Sequence, residues 1–149
     1  MTTVHEEVRP IRGTDAPVLA HLEASARAAV VGTRGGDSWL TETPAVGDWT
    51  TVVDDPLRPV WVATIDDHVV GFLELACHGS IAEVRQVYVQ PEARELGLGD
   101  ELLATAMTTA RRLGCTRLEG AALPGDRHTK NLYERAGVVA RKIIVSSPL

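Results

Sequence analysis

Two glycines, at positions 97 and 99, stand between a run of β-forming residues and an amphipathic segment. Because glycine has no Cβ, the chain can turn tightly there and a ligand can approach the main chain closely. The first N–H groups of a helix have no partner inside the helix, and the helix dipole adds roughly half a positive charge at that end. This stretch therefore predicts a binding site for an anion such as a phosphate.

Other phosphate-binding motifs fit the same stretch poorly. The dinucleotide-binding motif Gly-x-Gly-x-x-Gly needs a third glycine, and position 102 is leucine. The Gly-x-x-x-x-Gly-Lys-Ser/Thr loop of P-loop nucleotide-binding proteins does not occur in the sequence. On this motif alone, the alternative is a tight strand-to-helix turn that binds no ligand.

The segment after the glycines has the pattern of an amphipathic helix. Two arginines lie in its last turn, where they suit the negative end of the helix dipole, and Gly114 follows as a C-terminal cap. The pattern thus predicts a helix that begins directly after the glycine pair. Its apolar face recurs at roughly 3.6-residue spacing and comprises Leu102, Leu103, Ala106, Ala110 and Leu113.

The rest of the chain alternates predicted strands and helices around this turn. Further helices are expected after Asp15 and Asp126, which can each cap a helix N-terminus. Trp39 and Trp49 lie in a mixed polar segment and either face a substrate or pack against the sheet. Short turns join the strands between residues 59 and 89, which are therefore antiparallel. The predicted strands are residues 4–11, 59–65, 69–77, 81–89, 116–122 and 138–145.

Composition limits the classes of partner. A chain of 149 residues fits a single domain, residues 1–149. Fifteen basic and twenty acidic residues give a net charge of −5, which argues against a nucleic-acid partner held through its phosphates. We find neither a secretory signal pattern nor an apolar run of membrane-spanning length, so we expect a cytoplasmic protein with no membrane partner.

The two cysteines, Cys77 and Cys115, are too few and too far apart in sequence to indicate a disulfide framework or a metal site. Both adjoin apolar strand-like runs, so buried thiols are expected. Frequent alanine, arginine, glycine and valine suggest a bacterial source with a GC-rich genome.

Three stretches of the sequence together resemble the GNAT N-acetyltransferase superfamily. Arg94-x-x-Gly97-x-Gly99 resembles its acyl-CoA-binding signature, Tyr88-Val89-Gln90-Pro91 its strand ending in Val-x-Pro, and Leu132-Tyr133-Glu134-Arg135-Ala136-Gly137-Val138 its second signature. The resemblance covers roughly residues 60–145. It implies an α/β (α+β) fold, with a mixed, mostly antiparallel sheet of six to seven strands flanked by helices, in which two central strands splay apart to bind acyl-CoA.

The same resemblance implies acetyl-CoA as the co-substrate, with no metal ion, and indicates where it would bind. The pantetheine arm would pair with the main chain of the strand at Val87, Tyr88 and Val89. The Arg94 side chain would add a charge-assisted contact to a phosphate, unless it is only a solvated loop residue. The pyrophosphate would bind the main-chain N–H groups of Glu95, Leu96, Gly97, Leu98, Gly99 and Asp100.

Two residues are candidates for catalysis by the same resemblance. Tyr133 stands where the family has a tyrosine that protonates the departing CoA thiolate; a tyrosine at helical spacing can also be plain core. A phenol with a pKa of about 10 can donate to a thiolate whose conjugate acid has a pKa near 8.5. Glu83, eleven residues before Arg94, matches the catalytic glutamate of histone-type members. It would act as the base, or it only pairs with Arg85 or a neighbouring strand.

Other positions depart from the family pattern. Asp126 stands seven residues before the tyrosine, where the family usually has asparagine, and Thr129 replaces an alanine. Asp126 is therefore either a pantetheine contact or only a helix cap. Val138 replaces the usual phenylalanine, which removes aromatic packing and no reacting group.

The resemblance implies an N-acetyltransferase that moves an acetyl group from acetyl-CoA to a primary amine of a small molecule or peptide, by direct attack. The alternative is a non-catalytic acyl-CoA-binding regulatory module. The acceptor stays open among aminoglycosides, polyamines, amino acids and protein amines. An exposed sheet edge is compatible with a homodimer.

Overall fold

The computed structural model describes residues 3–149, and this range contains five strands and four α-helices. Met1 and Thr2, the start of the N-terminal segment that we searched for a signal pattern, lie outside the described residues. Three short 3-10 turns occur at Gly13–Asp15, Trp49–Val52 and Pro91–Leu96. The strands are β1 (Glu6–Pro10), β2 (Val60–Ile65), β3 (His68–His78), β4 (Ile81–Val89) and β5 (Arg117–Gly120). The helices are α1 (Ala16–Ala28), α2 (Gly36–Glu42), α3 (Leu98–Arg112) and α4 (Arg127–Arg135).

The strands form one sheet in the order β1-β2-β3-β4-β5. Neighbouring strands are antiparallel from β1 to β4, and β4 and β5 are parallel. Asp66 and Asp67 turn the chain between β2 and β3 with positive φ angles of 48° and 69°, as a two-residue hairpin turn of type I′ requires. This mixed, mostly antiparallel sheet with flanking helices confirms the predicted fold class.

The predicted C-terminal strand is wrong, so the sheet has five strands where the resemblance implied six to seven. Residues 138–149 have no regular secondary structure, and Ile143, Ile144 and Val145 are 84%, 78% and 88% exposed. β-branched residues favour a strand only where a neighbouring strand accepts the backbone hydrogen bonds. Within residues 3–149, no strand pairs with this segment.

Each face of the sheet carries its own core. α3 and α4 cover one face, where Leu102, Leu103 and Leu132 pack against β2, β3 and β4. α1 and the 3-10 turn at Trp49–Val52 cover the other face, where Leu19 and Leu22 pack near Phe72. Trp49 is fully buried there and meets the ring of Phe72 edge-on, with ring centroids 5.2 Å apart.

A β-bulge interrupts the pairing of β3 with β4. Glu74 lies opposite Gln86 and Leu75 lies opposite Val84, which leaves Arg85 as the extra residue. Side chains alternate across a strand, so one extra residue reverses the faces of all the residues after it. Val84 packs in the α3 core, whereas Gln86 contacts Glu23 of α1. The bulge therefore places Gln86 on the α1 face.

The strands β4 and β5 separate after a short paired stretch. Their pairing runs from Ile81 opposite Arg117 to Val84 opposite Gly120. Beyond Val84, β4 continues to Val89, and the described chain places no strand beside that part of its edge. The splay that the resemblance implied is therefore present, although β5 is the edge strand of the sheet and not a central one.

Cys77 and Cys115 are free thiols that are only partly buried, whereas their surroundings in the sequence predicted buried ones. Burial, together with the neighbouring Cys115, raises the pKa of the Cys77 thiol. Among residues 3–149, none of the helices combines the length and the apolar character needed to cross a bilayer.

Candidate active site

A cavity of about 370 Å³ opens where β4 and β5 separate. The end of β4 forms one wall, from Val84 to Val89. What we call the α4 side comprises Arg94, Ala121, Leu123, Pro124, Gly125, Asp126, His128, Thr129, Leu132 and Tyr133. What we call the α1 side comprises Ala26, Ala29, Val30, Thr33, Trp39 and Phe72.

The glycine turn has the geometry of an open helix N-terminus. Gly97 adopts a φ of 77°, a left-handed conformation that favours glycine, and no side chain caps the helix at this position. Glu101 N donates to Gly97 O at 3.1 Å, which begins the hydrogen bonding of α3. Within the described chain, the N–H groups of Leu98, Gly99 and Asp100 have no protein partner. These groups are free to meet an anion, just outside the cavity wall.

Two arginines shape the electrostatics of this turn. Arg94 Nε donates to Val89 O at 2.8 Å, and its guanidinium lies 5.6 Å from the ring centroid of Tyr88. These contacts hold the side chain beside the cavity while its terminal nitrogens stay available. Arg135 Nε pairs with Asp100 Oδ1 at 2.9 Å, which offsets a negative charge that would otherwise repel a phosphate.

Tyr133 lies on the α4 side with 7% of its surface exposed. Its hydroxyl packs directly on Gly120, where a Cβ would overlap the phenol oxygen. No residue in the described range hydrogen-bonds to this hydroxyl. Burial raises the pKa of the phenol well above its ordinary value, and the charge of Asp126 raises it further. The side chain is thus a protonated, partner-free donor in the cavity wall.

Asp126 lines the cavity and also caps α4. Its Oδ1 accepts from Thr129 N at 3.1 Å, and its Oδ2 accepts from the Thr129 hydroxyl at 2.8 Å. Both carboxylate oxygens therefore already serve the helix start. The threonine that departs from the family pattern is part of this cap.

Glu83 lies on β4 outside the cavity wall, with 40% of its side chain exposed. Its carboxylate is 3.4 Å from His78 Nε2 and 3.6 Å from Arg85 Nη1. Glu83 is therefore absent from the cavity lining. The structure brings Val87, Tyr88, Val89, Arg94, Asp126 and Tyr133 together around one cavity.

His128 also lines the α4 side of the cavity. Burial lowers the pKa of its imidazole, and the nearby Arg94 lowers it further. The ring is therefore mainly neutral at pH 7.

A buried polar network lies behind the α1 side, and the sequence analysis missed it. Glu23 and Glu74 are 2% and 1% exposed, and Gln86, 5% exposed, lies between them. Gln86 Nε2 donates to Glu23 Oε2 at 2.7 Å and to Glu74 Oε1 at 3.0 Å. An acidic residue among the apolar positions of α1, and another inside the apolar run of β3, were the available signals.

The two carboxylates have further partners. Glu23 also accepts from Val46 N at 2.8 Å and from Gly47 N at 3.0 Å. Glu74 also meets Arg58 at 3.2 Å and Arg85 at 3.8 Å. Glu23 therefore ties the segment after α2 to the bulged strand β4.

Trp39 and Trp49 were each predicted either to face a substrate or to pack against the sheet, and the structure places one in each position. Trp49 is buried in the core, whereas Trp39 lines the cavity. The guanidinium of Arg27 lies 5.3 Å from the Trp39 ring and donates to Leu40 O at 3.0 Å, which fastens α2 to α1.

Two comparisons with known sequences bear on the family of the chain. The sequence profile of the acetyltransferase (GNAT) family matches residues 21–138. A search among curated proteins finds no match. Among residues 3–149, no cluster of three or more His, Cys, Asp or Glu side chains is placed to hold a metal ion.

Several solved structures share the fold. An aminoglycoside N-acetyltransferase AAC(6')-Iy in complex with CoA is 15% identical, with a TM-score of 0.72 over 99% of this chain and 97% of that one. An integron cassette protein from the mobile metagenome of Cole Harbour Salt Marsh is 22% identical, with a TM-score of 0.70 over 95% and 90%. Glucosamine-6-phosphate N-acetyltransferase from Arabidopsis thaliana is 15% identical, with a TM-score of 0.67 over 97% and 98%.

Proposed function

The chain belongs to the GNAT acetyltransferase family, and we propose that it transfers the acetyl group of acetyl-CoA to a primary amine by direct attack. The observation that carries the proposal is the cavity between β4 and β5, which holds a partner-free phenol beside an unpaired strand edge. A cytoplasmic location, a bacterial source and a homodimer stay predictions.

Acetyl-CoA would enter from the α4 side. The pantetheine arm would pair with the main chain of Val87, Tyr88 and Val89, along the part of β4 that β5 leaves without a partner. The pyrophosphate would meet the free N–H groups after Gly97, with Arg94 adding a charge-assisted contact. The main chain near Val87 would also polarise the thioester carbonyl.

Tyr133 would act as the general acid. The neutral amine nitrogen attacks the thioester carbon to form a tetrahedral intermediate, the C–S bond breaks, and the phenol proton moves to the departing sulfur. The nitrogen releases one N–H proton to water as the amide forms, and a proton from water restores the phenol. The raised pKa makes the phenol a weaker acid, but the same desolvation raises the proton affinity of a thiolate in the same place. The proton transfer therefore depends on the difference between the two groups.

The attacking amine must first lose a proton. Deprotonating an alkyl amine with a pKa near 10.4 costs roughly 4.6 kcal/mol at pH 7. Glu83 stays our candidate base, acting through water because its carboxylate lies outside the cavity wall and is exposed. The pair that it forms with Arg85 holds it near the strand that carries the site.

The proposal is tested with Tyr133→Phe, which removes the proton and keeps the ring. We expect kcat to fall on the order of 10²-fold, as for the loss of a general acid, with a nearly unchanged KM for acetyl-CoA. CoA thiol release is measured over a panel of primary amines, and thermal unfolding monitors folding. An unchanged kcat would remove Tyr133 from the mechanism. No thiol release with any amine would favour a non-catalytic acyl-CoA-binding module.

A further inference from the structure

Residues 139–149, which we call the arm, extend from the domain after α4. The arm has no regular secondary structure, and every one of its residues is exposed. Ile143, Ile144 and Val145 follow one another along it and are 84%, 78% and 88% exposed. Such a run of β-branched residues favours an extended strand and marks an interaction site when it stays in water. The arm therefore needs a surface to pair with.

The end of α4 fixes where the arm leaves the domain. Gly137 has a φ of 77°, and its N–H donates to Glu134 O at 3.0 Å. Val138 N donates to Tyr133 O at 2.9 Å, which completes a Schellman motif. Val138 also packs against the core on the α3 face. The exit direction is thus set by the helix cap, and the arm does not return to the sheet of its own chain.

The outer edge of β5 has the complementary requirement. β5 has β4 on one side and, within residues 3–149, no strand on the other. The sequence predicts a strand over residues 116–122, but only Arg117–Gly120 form one. Ala121 and Ala122 follow as exposed residues outside any strand. An edge strand offers unpaired main-chain N–H and C=O groups to any strand that can lie beside it.

We propose that two copies of this chain exchange their arms, and that residues 139–145 of each copy add a strand to the outer edge of β5 in the other copy. Main-chain hydrogen bonds supply the affinity of such a strand addition. The exchange is reciprocal, so each copy gives an arm and receives one, and the assembly closes with twofold symmetry. This inference is independent of the proposed acetyl transfer.

Charge favours a second copy of the chain as the partner. The arm carries Arg141 and Lys142 and no acidic residue, whereas the whole chain has a net charge of −5. A positively charged arm is attracted to an acidic body of this kind. The other edge of the sheet, β1, ends in Pro10, which has no N–H group to donate to an added strand. The outer edge of β5 is therefore the better receiving site.

The added strand lies next to one wall of the cavity. β5 ends at Gly120, on which the Tyr133 hydroxyl packs. Ala121 and Leu123, which follow β5, line the cavity. A strand on the outer edge of β5 therefore supports this wall from outside, and each cavity borders on the arm of the other copy.

The first test measures molecular mass by sedimentation equilibrium. We expect the wild-type chain to sediment at twice its chain mass of 16.0 kDa. Ile144→Pro removes an N–H group in the middle of the arm, at a side chain that is exposed in the single chain. We expect this variant to raise the Kd of the dimer at least about 100-fold. Ser147→Pro is the matched control, because it makes the same change beyond the paired residues and should leave the dimer intact.

Three results of this measurement would overturn the inference. One is a wild-type chain that stays monomeric at every concentration, including one whose arm binds vesicles of anionic phospholipid instead. Another is a dimer that Ile144→Pro leaves intact, because the interface would then lie elsewhere. The third is an equal loss of the dimer in Ser147→Pro, because the apolar run would then not be what pairs.

Hydrogen exchange identifies the strands that pair. In the wild-type dimer we expect protected amides at residues 143–145 and at residues 121 and 122, and loss of both in Ile144→Pro. Protection of residues 143–145 in a monomer would mean that the arm pairs with its own sheet, and protection of β1 instead of β5 would mean that it uses the other edge. Either result would overturn the inference. A wild-type dimer with exchanged arms that releases no thiol would overturn acetyl transfer alone.

Discussion

The two sides of the cavity are built by different means. Next to the α4 side, main-chain groups are open to a ligand, namely the unpaired edge of β4 and the free N–H groups after Gly97, just outside the cavity wall. The α1 side is built from residues of α1, the turn that follows it, α2 and β3. Backbone groups recognise a ligand whatever the neighbouring side chains are, whereas an apolar wall changes with every substitution. A shared co-substrate therefore suits the first side, and a particular acceptor suits the second.

Gly120→Val should have the largest effect on kcat, because the added side chain displaces Tyr133, the proposed general acid. A Cβ at this position overlaps the Tyr133 hydroxyl, so the phenol must move. We expect kcat to fall on the order of 10²-fold, as if the acid were lost, with a smaller change in the KM for acetyl-CoA. Gly13→Ala is the control, because a Cβ there meets nothing within 4 Å. A normal kcat in Gly120→Val would show that the position of the phenol is not critical.

Gly97→Ala tests whether the main chain grips the phosphates. Alanine in the left-handed region is strained, so the turn should shift and the KM for acetyl-CoA should rise by about tenfold. Gly114→Ala is the matched control, since it has a φ of 85°, open space around it and a place at the other end of α3. Steady-state kinetics and thermal unfolding of both variants decide the matter. If both variants lose similar stability and keep an unchanged KM for acetyl-CoA, the turn at Gly97 does not bind the phosphates.

The smallest expected change in kcat is the one caused by pH. Burial and the charge of Asp126 raise the pKa of Tyr133, so the phenol keeps its proton through its ordinary pKa of about 10. A group that must be protonated then causes no loss of kcat as the pH rises from about 8 to about 10. Rates at saturating amine and acetyl-CoA measure this. A decline centred below pH 10 would place the acid elsewhere.

The α4 side could be predicted from the sequence because its signals are local. The glycine pair, the helix after it and the capping aspartate each lie within a few residues of the structure that they specify, and β4 was predicted over its observed length. The prediction of a C-terminal strand was wrong because strand pairing does not depend on local signals alone. Its β-branched residues carry a preference, but pairing depends on an edge that is distant in the sequence.

The α1 side could not be predicted in the same way. Glu23, Glu74 and Gln86 acquire their roles only when α1 crosses the sheet and a bulge turns Gln86 toward it. An isolated acid in an apolar run signals a buried partner without saying which one. Trp39 and Trp49 likewise had equal patterns, and only the packing of the sheet separates the cavity residue from the core residue.

The extra residue at Arg85 lets Val84 and Gln86 face opposite sides of the sheet although they are two positions apart. Deletion of Arg85 would make these two residues neighbours, and neighbouring residues of a strand also face opposite sides. Loss of this one codon would therefore leave both side chains on their present faces. Regular pairing of the full-length strand, in contrast, would bring them to the same face.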